Sequence, residues 1–489
     1  MAEFHVEHFG CRAARADGEA VGSHLRSAGW GEGHASAADV VIVNTCSVTA
    51  EADRAARAFI RRTHRLNPQA RIVVTGCYAQ RAPQELAAMH GVAAVVGNSH
   101  KALAPEIVLG LAAGASNSAL ASLSCSTSES AAQPLVTLQS IAAKTADGAA
   151  PIWADDSFAH SFIEEAQLVP GEQTRPNLKI QEGCGNRCTF CVIPQTRGSS
   201  RSLAPAAILR QVEGFVEAGG NELVLSGINL GRWGRDLREP GILPSLTLAS
   251  LVRTLFERTS LPRLRLSSIE PMDWDAELIA LMAEFGGTRL ARHAHLPLQS
   301  GSDAVLRRMH RRYRPWHYKE KIALLIEAAG GGLTLGADVM AGFPGETDAE
   351  FEETLEFVRA VPFGYLHLFP FSPRPGTRGW ALHAEHPVQP RIVDERMAAL
   401  RALAAEKSLV HRQRFVGREV DALTLHTPDA LGQLGRTTAL TENFLPIEID
   451  RPLPANRAIR LRVVAIAPDG TLQAAEAAGD ISSAGAAFF

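Results

Sequence analysis

No run of about 18 apolar residues occurs anywhere in the 489-residue chain, which excludes an ordinary membrane-spanning helix. The opening residues, Met1-Ala2-Glu3-Phe4-His5, lack the charged-then-apolar layout of a secretory signal. A cytoplasmic protein with no membrane partner is therefore expected. A strongly basic balance is missing too. The formal net charge is −3, so any contact with nucleic acid must come from a local patch and not from the surface as a whole. Hydrophobic residues make up 46% and charged residues 21%, the ordinary proportions of a soluble globular protein. The length suits about two to four domains.

What is present is a small set of cysteines in an uneven arrangement. There are seven, at 11, 46, 77, 125, 184, 188 and 191. The number is odd and the last three sit together. In a reducing compartment this spacing points to metal or redox chemistry, not to disulfides.

Three times in the first hundred residues a short apolar run leads into a cysteine. Phe4–Cys11 does so weakly, Asp39–Cys46 (DVVIVNTC) and Ala70–Cys77 (ARIVVTGC) strongly. The last two runs precede helix-like stretches, Glu51–Arg65 and Pro83–His90. Strand–turn–helix repeats predict a parallel sheet. Parallel strands end on one edge, where open α/β sheets bind ligands. Cys11, Cys46 and Cys77 can thus converge although they lie 35 and 31 residues apart.

From about residue 112 to 173 Ala, Ser, Thr and Gly dominate, as in Ser116–Ala131, and a linker or insertion is expected. Cys125 falls inside it with no strand before it. Alternation resumes near Pro176. Expected strands are Leu178–Gln181, Glu222–Ser226, Arg263–Ser267, Ala294–Leu298, Thr334–Met340 and Tyr365–Phe371, with helices such as Pro205–Ala218 and Trp316–Ala329 between them. Six such units suggest a parallel sheet curled into a partial barrel. The helix-rich stretch Gln389–Phe415 closes it. Four short strands follow, Glu419–Leu425, Gln433–Ala439, Phe444–Ile449 and Arg460–Ala467, and read as a small β-barrel. The end, Gly479–Phe489, reads as a disordered tail.

Cys184-Gly-Asn-Arg-Cys188-Thr-Phe-Cys191 is a C-x3-C-x2-C loop directly after an expected strand. Three thiolates this close can hold three irons of a 4Fe–4S cluster and leave the fourth open to an outside ligand. The alternative is a zinc site, which usually needs a fourth protein ligand when structural.

The surrounding segment Lys179–Ser202 (KIQEGCGNRCTFCVIPQTRGSSRS) resembles the radical S-adenosylmethionine (SAM) core of the methylthiotransferase family. The likeness continues through Leu225–Gly231 (LSGINLG), Leu266–Glu270 (LSSIE), His295–Ser302 (HLPLQSGS), Asp338–Glu346 (DVMAGFPGE) and Phe369–Thr377 (FPFSPRPGT). Gly10-Cys11, Asn44-Thr-Cys46 and Gly76-Cys77 resemble the family's N-terminal domain, and the β-module resembles its TRAM domain, an RNA-binding barrel. Together these imply an α/β multidomain chain. Its parts would be an N-terminal parallel α/β sheet domain (1–111), an Ala/Ser-rich linker or insertion (112–173), a radical SAM partial (β/α)6 barrel (174–408), a C-terminal TRAM-like β-barrel (409–475) and a disordered tail (476–489).

The resemblance also implies cofactors and contacts. One 4Fe–4S cluster would sit on Cys184, Cys188 and Cys191 and a second on Cys11, Cys46 and Cys77. In this family the second cluster is thought to carry the inserted sulfur, from an exogenous species or from the cluster itself. Cys125 matches no family position and is read as a free thiol. The run Gly10-Cys11-Arg12-Ala13-Ala14 departs from the family, which often has Asn where Ala14 stands. SAM would be met by the backbone at Phe190, by Ser226 and Gly227, by Glu270 through its ribose or amino group, and by Gln299 and the Gly342–Gly345 loop. Strand-end residues of these types are also common turn formers.

The RNA-facing signals are slighter. Arg307–Arg314 (RRMHRRYR) is the densest basic run, with Tyr313 or Trp316 available to stack, although such runs are usually solvated helix faces. From Lys407 to Ala467, Lys and Arg total 9 against 6 Asp and Glu. Phe444, placed in a strand, is as suited to a core as to stacking.

The implied reaction is methylthio insertion at C2 of threonylcarbamoyladenosine next to the anticodon of tRNA. SAM would serve as radical source and methyl donor, and a flavodoxin- or ferredoxin-type protein would supply electrons. Asn44–Thr49 with Asp53-Arg54 resembles this substrate class best, as does Lys179–Cys191. Isopentenyladenosine tRNA ranks second and a ribosomal-protein aspartate third. Outside this chemistry stand a redox-sensing RNA-binding protein and a simpler radical SAM methylase with structural N-terminal cysteines.

Overall fold

The computed structural model describes residues 2–113, 149–158, 163, 168, 170, 174–237 and 246–476. Ser116–Ala131, Cys125 and the Gly479–Phe489 tail lie outside the described residues. The chain forms two compact units. One gathers residues 1–167, 182–201 and 372–377, the other residues 168–181, 202–371 and 378–489.

The first unit is built on a sheet whose strands are β1 (Glu3–His8), β2 (Gly31–Glu32), β3 (Val40–Thr45), β4 (Arg71–Gly76), β5 (Val92–Gly97) and β6 (Ile152–Trp153), ordered β2-β1-β3-β4-β5-β6. All its pairings are parallel. Every residue of β3, VVIVNT, is buried. β-Branched side chains at consecutive positions suit a strand covered on both faces. Phe4, Ile42, Val73, Val96 and Trp153 pack one face under Leu25 and Ile107. Val41, Val43, Val74 and Val95 pack the other under Ile60, Tyr78 and Leu86. Helix α1 (Arg12–Ser27) follows β1. Helix α2 (Ala50–Leu66) follows β3 and starts where Thr49 accepts from the Ala52 amide, with Glu51 and Asp53 in its first turn. The helix expected over Pro83–His90 is shorter, Pro83–Ala87, and another short helix, Cys77–Arg81, precedes it.

The expected linker is not wholly outside the sheet. Ile152 and Trp153 pair with Val95 and Val96 as the edge strand β6. A two-residue strand carries no periodicity, so composition alone places it in the linker.

The second unit holds β7 (Asn177–Glu182, its last residue counted with the first unit), β8 (Arg201–Ser202, likewise shared), β9 (Glu222–Gly227) and β10 (Arg263–Leu266), ordered β10-β9-β7-β8. A second group, β11 (His293–His295), β12 (Thr334–Ala341) and β13 (Tyr365–Pro370), continues the curl, and an isolated parallel bridge between Leu264 and Leu290 joins the groups. The β7–β9, β9–β10, β11–β12 and β12–β13 pairs are parallel. These strands are those of the expected partial barrel. β11 is shorter than Ala294–Leu298 implied, because the chain leaves the ladder before Gln299 and touches it again at Val339.

A closed barrel follows in the same unit, ordered β14 (Glu419–Thr424), β15 (Thr437–Thr441), β16 (Pro446–Ile449), β18 (Leu472–Glu476), β17 (Ala458–Ile466). It has five strands, one more than the sequence suggested. Phe444 is not in a strand. It occupies the β15–β16 turn with φ +72, half-buried, its ring 4.4 Å from that of His293 and 5.5 Å from that of Tyr365. Arg292 grips Glu442 through its backbone amide (3.0 Å) and Nε (2.8 Å). The closed barrel is thus fastened at the amino ends of β11 and β13.

Candidate functional site: two cysteine groups

Cys11, Cys46 and Cys77 directly follow, or stand a short turn beyond, the carboxyl ends of the adjacent strands β1, β3 and β4. The structure brings the three thiols together, each near enough to influence another's ionisation. Burial pushes the Cys46 thiol up to about 12, and the Cys77 and Cys11 sulfurs push it the same way. A thiol so placed is a poor thiolate on its own, and a bound cation is what would deprotonate it. Cys46 and Cys77 are buried and Cys11 is exposed.

Cys11 is the N-terminal cap residue of α1, and the nearby Ala13 and Ala14 amides favour its thiolate. These are backbone donors, so replacement of the family's Asn by Ala14 leaves them intact. A side chain from another strand supports the same turn, as Asn44 Nδ2 donates to the Ala14 carbonyl. Val48 N donates to Cys46 Sγ at 3.5 Å. Gly10 has φ +108.

Five residues not singled out in the sequence complete this region. Arg197 is fully buried. Its Nε donates to Cys77 Sγ at 3.3 Å, and its Nη1 donates to Glu182 at 2.6 Å and Asp17 at 3.0 Å. Burial opposes the charge of Arg197, but Cys77, Glu182 and Asp17 outweigh it. Lys101 Nζ donates to Asp17 at 3.1 Å and to Glu182. Asn98 Nδ2 donates to Cys77 Sγ at 3.4 Å and to the Thr196 carbonyl at 2.8 Å. Arg197 lies inside the Lys179–Ser202 stretch, but nothing local marks it as a partner of a cysteine 120 positions away. The converging thiols and soft-sulfur donors match the thiolate ligation of an iron–sulfur cluster.

Cys184, Cys188 and Cys191 share one loop between β7 and the short helix Ile193–Arg197, all partly exposed. The loop bends back on itself, with Cys191 N bonded to Cys188 O and Cys184 N to Gly198 O, each at 3.1 Å. Asn186 N donates to Cys184 Sγ at 3.4 Å. Gly183 has φ +69 and lies so close to Ser199 O that a Cβ there would fall 2.0 Å from it, so no side chain fits before the first cysteine. Phe190 is partly buried on this loop.

In the second unit, Ser226 and Gly227 end β9, and Gln181 Oε1 accepts from the Asn229 amide at 2.6 Å beside them. Glu270 does not close a strand. β10 stops at Leu266, and Glu270 precedes the short 3-10 turn Pro271–Asp273, held by Arg311 Nη2 at 2.7 and 2.6 Å. Gln299 is held at φ +66, a left-handed backbone uncommon outside glycine. Gly342, at φ +77, follows β12 and donates its N–H to Glu346 at 2.8 Å.

The basic run is mostly consumed by carboxylates. Arg307 and Arg314 pair with Asp303, Arg308 with Glu350, Arg311 with Glu270 and Arg312 with Asp273. Tyr313 cannot stack on a base, because it is fully buried and its hydroxyl bonds the Pro297 and Leu298 carbonyls. Trp316 is 55% exposed. A cleft of about 410 Å³ includes Arg292, Arg414, Arg418 and Arg460 in its lining.

Residues 3–97 match the uncharacterized protein family UPF0004, and residues 178–358 match the radical SAM superfamily. The chain is 32% identical to the threonylcarbamoyladenosine tRNA methylthiotransferase MtaB of Bacillus subtilis, over 91% of this chain and 90% of that one. The chain belongs to the methylthiotransferase family of radical SAM enzymes. It is also 32% identical to a tRNA-2-methylthio-N(6)-dimethylallyladenosine synthase of Parafrankia, over 86% of this chain and 77% of that one. Among solved structures, the radical SAM methyltransferase TsrM of Kitasatospora setae shares the fold, with TM-score 0.51, 15% identity, and 79% of this chain and 75% of that chain covered. This methylthiotransferase is accordingly a transferase that uses SAM and 4Fe–4S clusters. Among the described residues, no helix is long and apolar enough to cross a membrane.

Proposed function

We propose that this methylthiotransferase acts on tRNA and adds a methylthio group to C2 of threonylcarbamoyladenosine next to the anticodon, with one cluster on Cys184, Cys188 and Cys191 and a second on Cys11, Cys46 and Cys77. The near end-to-end match to the Bacillus subtilis protein named for this substrate carries the reading. The Asn44–Thr49 run with Asp53-Arg54 supports it. Asp53 is buried there and receives Arg81 Nη2 at 2.8 Å and Arg374 Nη1 at 2.7 Å.

When bound, the first cluster and SAM supply an adenosyl radical able to activate an aromatic C–H, and SAM supplies the methyl group. The chain's own groups bind and position. The Cys184–Cys191 loop offers three thiolates and leaves one iron position for SAM. The Asn186 amide hydrogen-bonds the Cys184 sulfur. Phe190 offers backbone to the adenine. Glu270, fixed by Arg311, offers a carboxylate to the ribose or amino group. Ser226, Gly227, Gln299 and Gly342 are the further SAM contacts of this proposal. Trp316 and the rim arginines Arg414 and Arg418 present a stacking surface and charge to an anticodon stem-loop. Electrons come from a flavodoxin- or ferredoxin-type donor.

Nucleoside analysis of tRNA from a deletion strain tests the substrate. Loss of 2-methylthio-threonylcarbamoyladenosine is expected. Its persistence, with loss of the isopentenyl counterpart, would assign the second substrate class, which the Parafrankia relative favours. Release of 5′-deoxyadenosine from SAM under anaerobic reduction, above a Cys188→Ala control, separates the enzyme from a redox-sensing binding protein.

A further inference from the structure

Arg197 carries an unfilled hydrogen bond. Its side chain is 0% exposed. Nε is bonded to Cys77 Sγ and Nη1 to Glu182 and Asp17, but Nη2 is buried with no acceptor among the described residues. A buried N–H left without a partner is costly.

The chemistry of the guanidinium says where the missing partner lies. The group is planar and rigid, and Nε–H and Nη2–H project from the same edge as a two-tined fork. One tine rests on the Cys77 sulfur. The other therefore points into the space beside that sulfur.

The neighbouring groups say what the partner is. Asp17 and Glu182 are the carboxylates that Arg197 shares with Lys101. They meet Arg197 at Nη1, away from the fork. Asn98, locked to the Thr196 carbonyl, approaches the same Cys77 sulfur. Two N–H donors thus converge on one sulfur, and the remaining donor of the fork is matched to a second acceptor of the same soft, anionic kind.

We infer that Arg197 Nη2 binds the sulfur to be installed, as a hydrosulfide-class anion held at the open iron of the cluster on Cys11, Cys46 and Cys77. This rests on the proposed reading of those three cysteines as cluster ligands. Arg197 is a positioning residue in this scheme. Its rigid fork fixes the incoming sulfur relative to Cys77. It also belongs to the helix that directly follows the Cys184–Cys191 loop, so the residue gripping the sulfur is covalently close to the cluster that binds SAM.

The test uses the full chain with Cys184, Cys188 and Cys191 all replaced by Ala, reconstituted anaerobically so that one cluster type remains. Iron is counted first, because failure to bind iron overturns the cysteine assignment and not the Arg197 inference alone. Sodium hydrosulfide is then titrated into the reduced protein, and the cluster's electron paramagnetic resonance spectrum is followed. A saturable change is expected. Arg197→Lys keeps the charge facing Asp17 and Glu182 but loses the fork, and should weaken hydrosulfide binding by about ten-fold or more with iron retained. The charge-compensated pair Arg197→Gln with Glu182→Gln should do the same. Iron-loaded variants that bind hydrosulfide as tightly as the parent would overturn the inference, as would a parent spectrum indifferent to hydrosulfide. A readout without substitution at position 197 is pulsed resonance of the parent labelled with ¹⁵N-arginine. A nitrogen coupling that changes on hydrosulfide addition supports the inference, and an unchanged coupling overturns it.

Discussion

A methyl group on Gly10 would lie 2.5 Å from Cys46 Cβ and 2.7 Å from Cys46 Sγ. The turn that delivers Cys11 is therefore packed directly on the next cysteine, and the φ of +108 at Gly10 is one that other residues rarely adopt. Gly10→Ala should displace the Cys46 sulfur. Reconstituted protein should lose roughly half its iron, that of one of two clusters, while its circular dichroism stays that of the parent. Full iron content in this variant would contradict the placement of a cluster there.

Arg311 fixes both oxygens of Glu270. Arg311→Met should release that carboxylate and weaken SAM binding by about ten-fold, about 1.4 kcal/mol, with iron content unchanged. Equilibrium dialysis with SAM reads the effect. Unchanged affinity would remove Glu270 from the SAM site.

Glu222 is buried among Arg265 (2.7 Å), Arg175 (3.4 Å) and Arg263 (3.8 Å). Burial alone would raise its pKa, but the three guanidiniums override it and bring the carboxyl down to about 2. Its folded value lies below its unfolded one, so its stabilisation is complete at neutral pH and is lost as pH falls toward 2. Glu222→Gln should cost about 3 kcal/mol at pH 7 and only about 1 kcal/mol at pH 3. Urea unfolding at the two pH values measures this, and a gap that widens on acidification would refute it.

His411 is buried and bonds Thr334 Oγ1 at 2.9 Å. Burial, aided by Arg414 and Arg412, lowers its pKa to about 4. The unfolded chain then takes up a proton first as pH falls, and stability drains away between about 6.5 and 4. His411→Gln should remove about 2 kcal/mol of the parent's loss between pH 7.5 and 5. Parallel stability curves for parent and variant would argue against it.

Legibility in the sequence followed the range of the interactions. β3 and β4 announce themselves through the consecutive Val and Ile residues of VVIVNT and RIVVTG, and the cysteines after them inherit a shared sheet edge from topology alone. β6 and β18 were hidden, one for its two-residue length and the other for its weak β-formers, Leu472-Gln-Ala-Ala-Glu476. Phe444 looked like a strand residue because aromatics favour strands. Its positive φ comes from a turn whose ring is caught by His293 and Tyr365. The Arg307–Arg314 run was visible as charge, but its partners Glu350, Glu270 and Asp273 lie 39 to 42 positions away. Asn98 and Arg197 were invisible for the same reason, since both reach Cys77 across the chain.

The first unit closes on itself late. Asp17 meets Arg197 across 180 positions and Asp53 meets Arg374 across 321. A ribosome adding about 5–20 residues each second exposes Cys11, Cys46 and Cys77 for roughly ten seconds or more before Arg197 is made, and for longer before Arg374 arrives. Asp17 and Asp53 have early partners in Lys101 and Arg81, but each gains its second cation only later. A fragment ending near residue 111 would therefore keep those first ion pairs and lack the Arg197 donor to Cys77, and the natural time for loading metal there is after Arg197 is made.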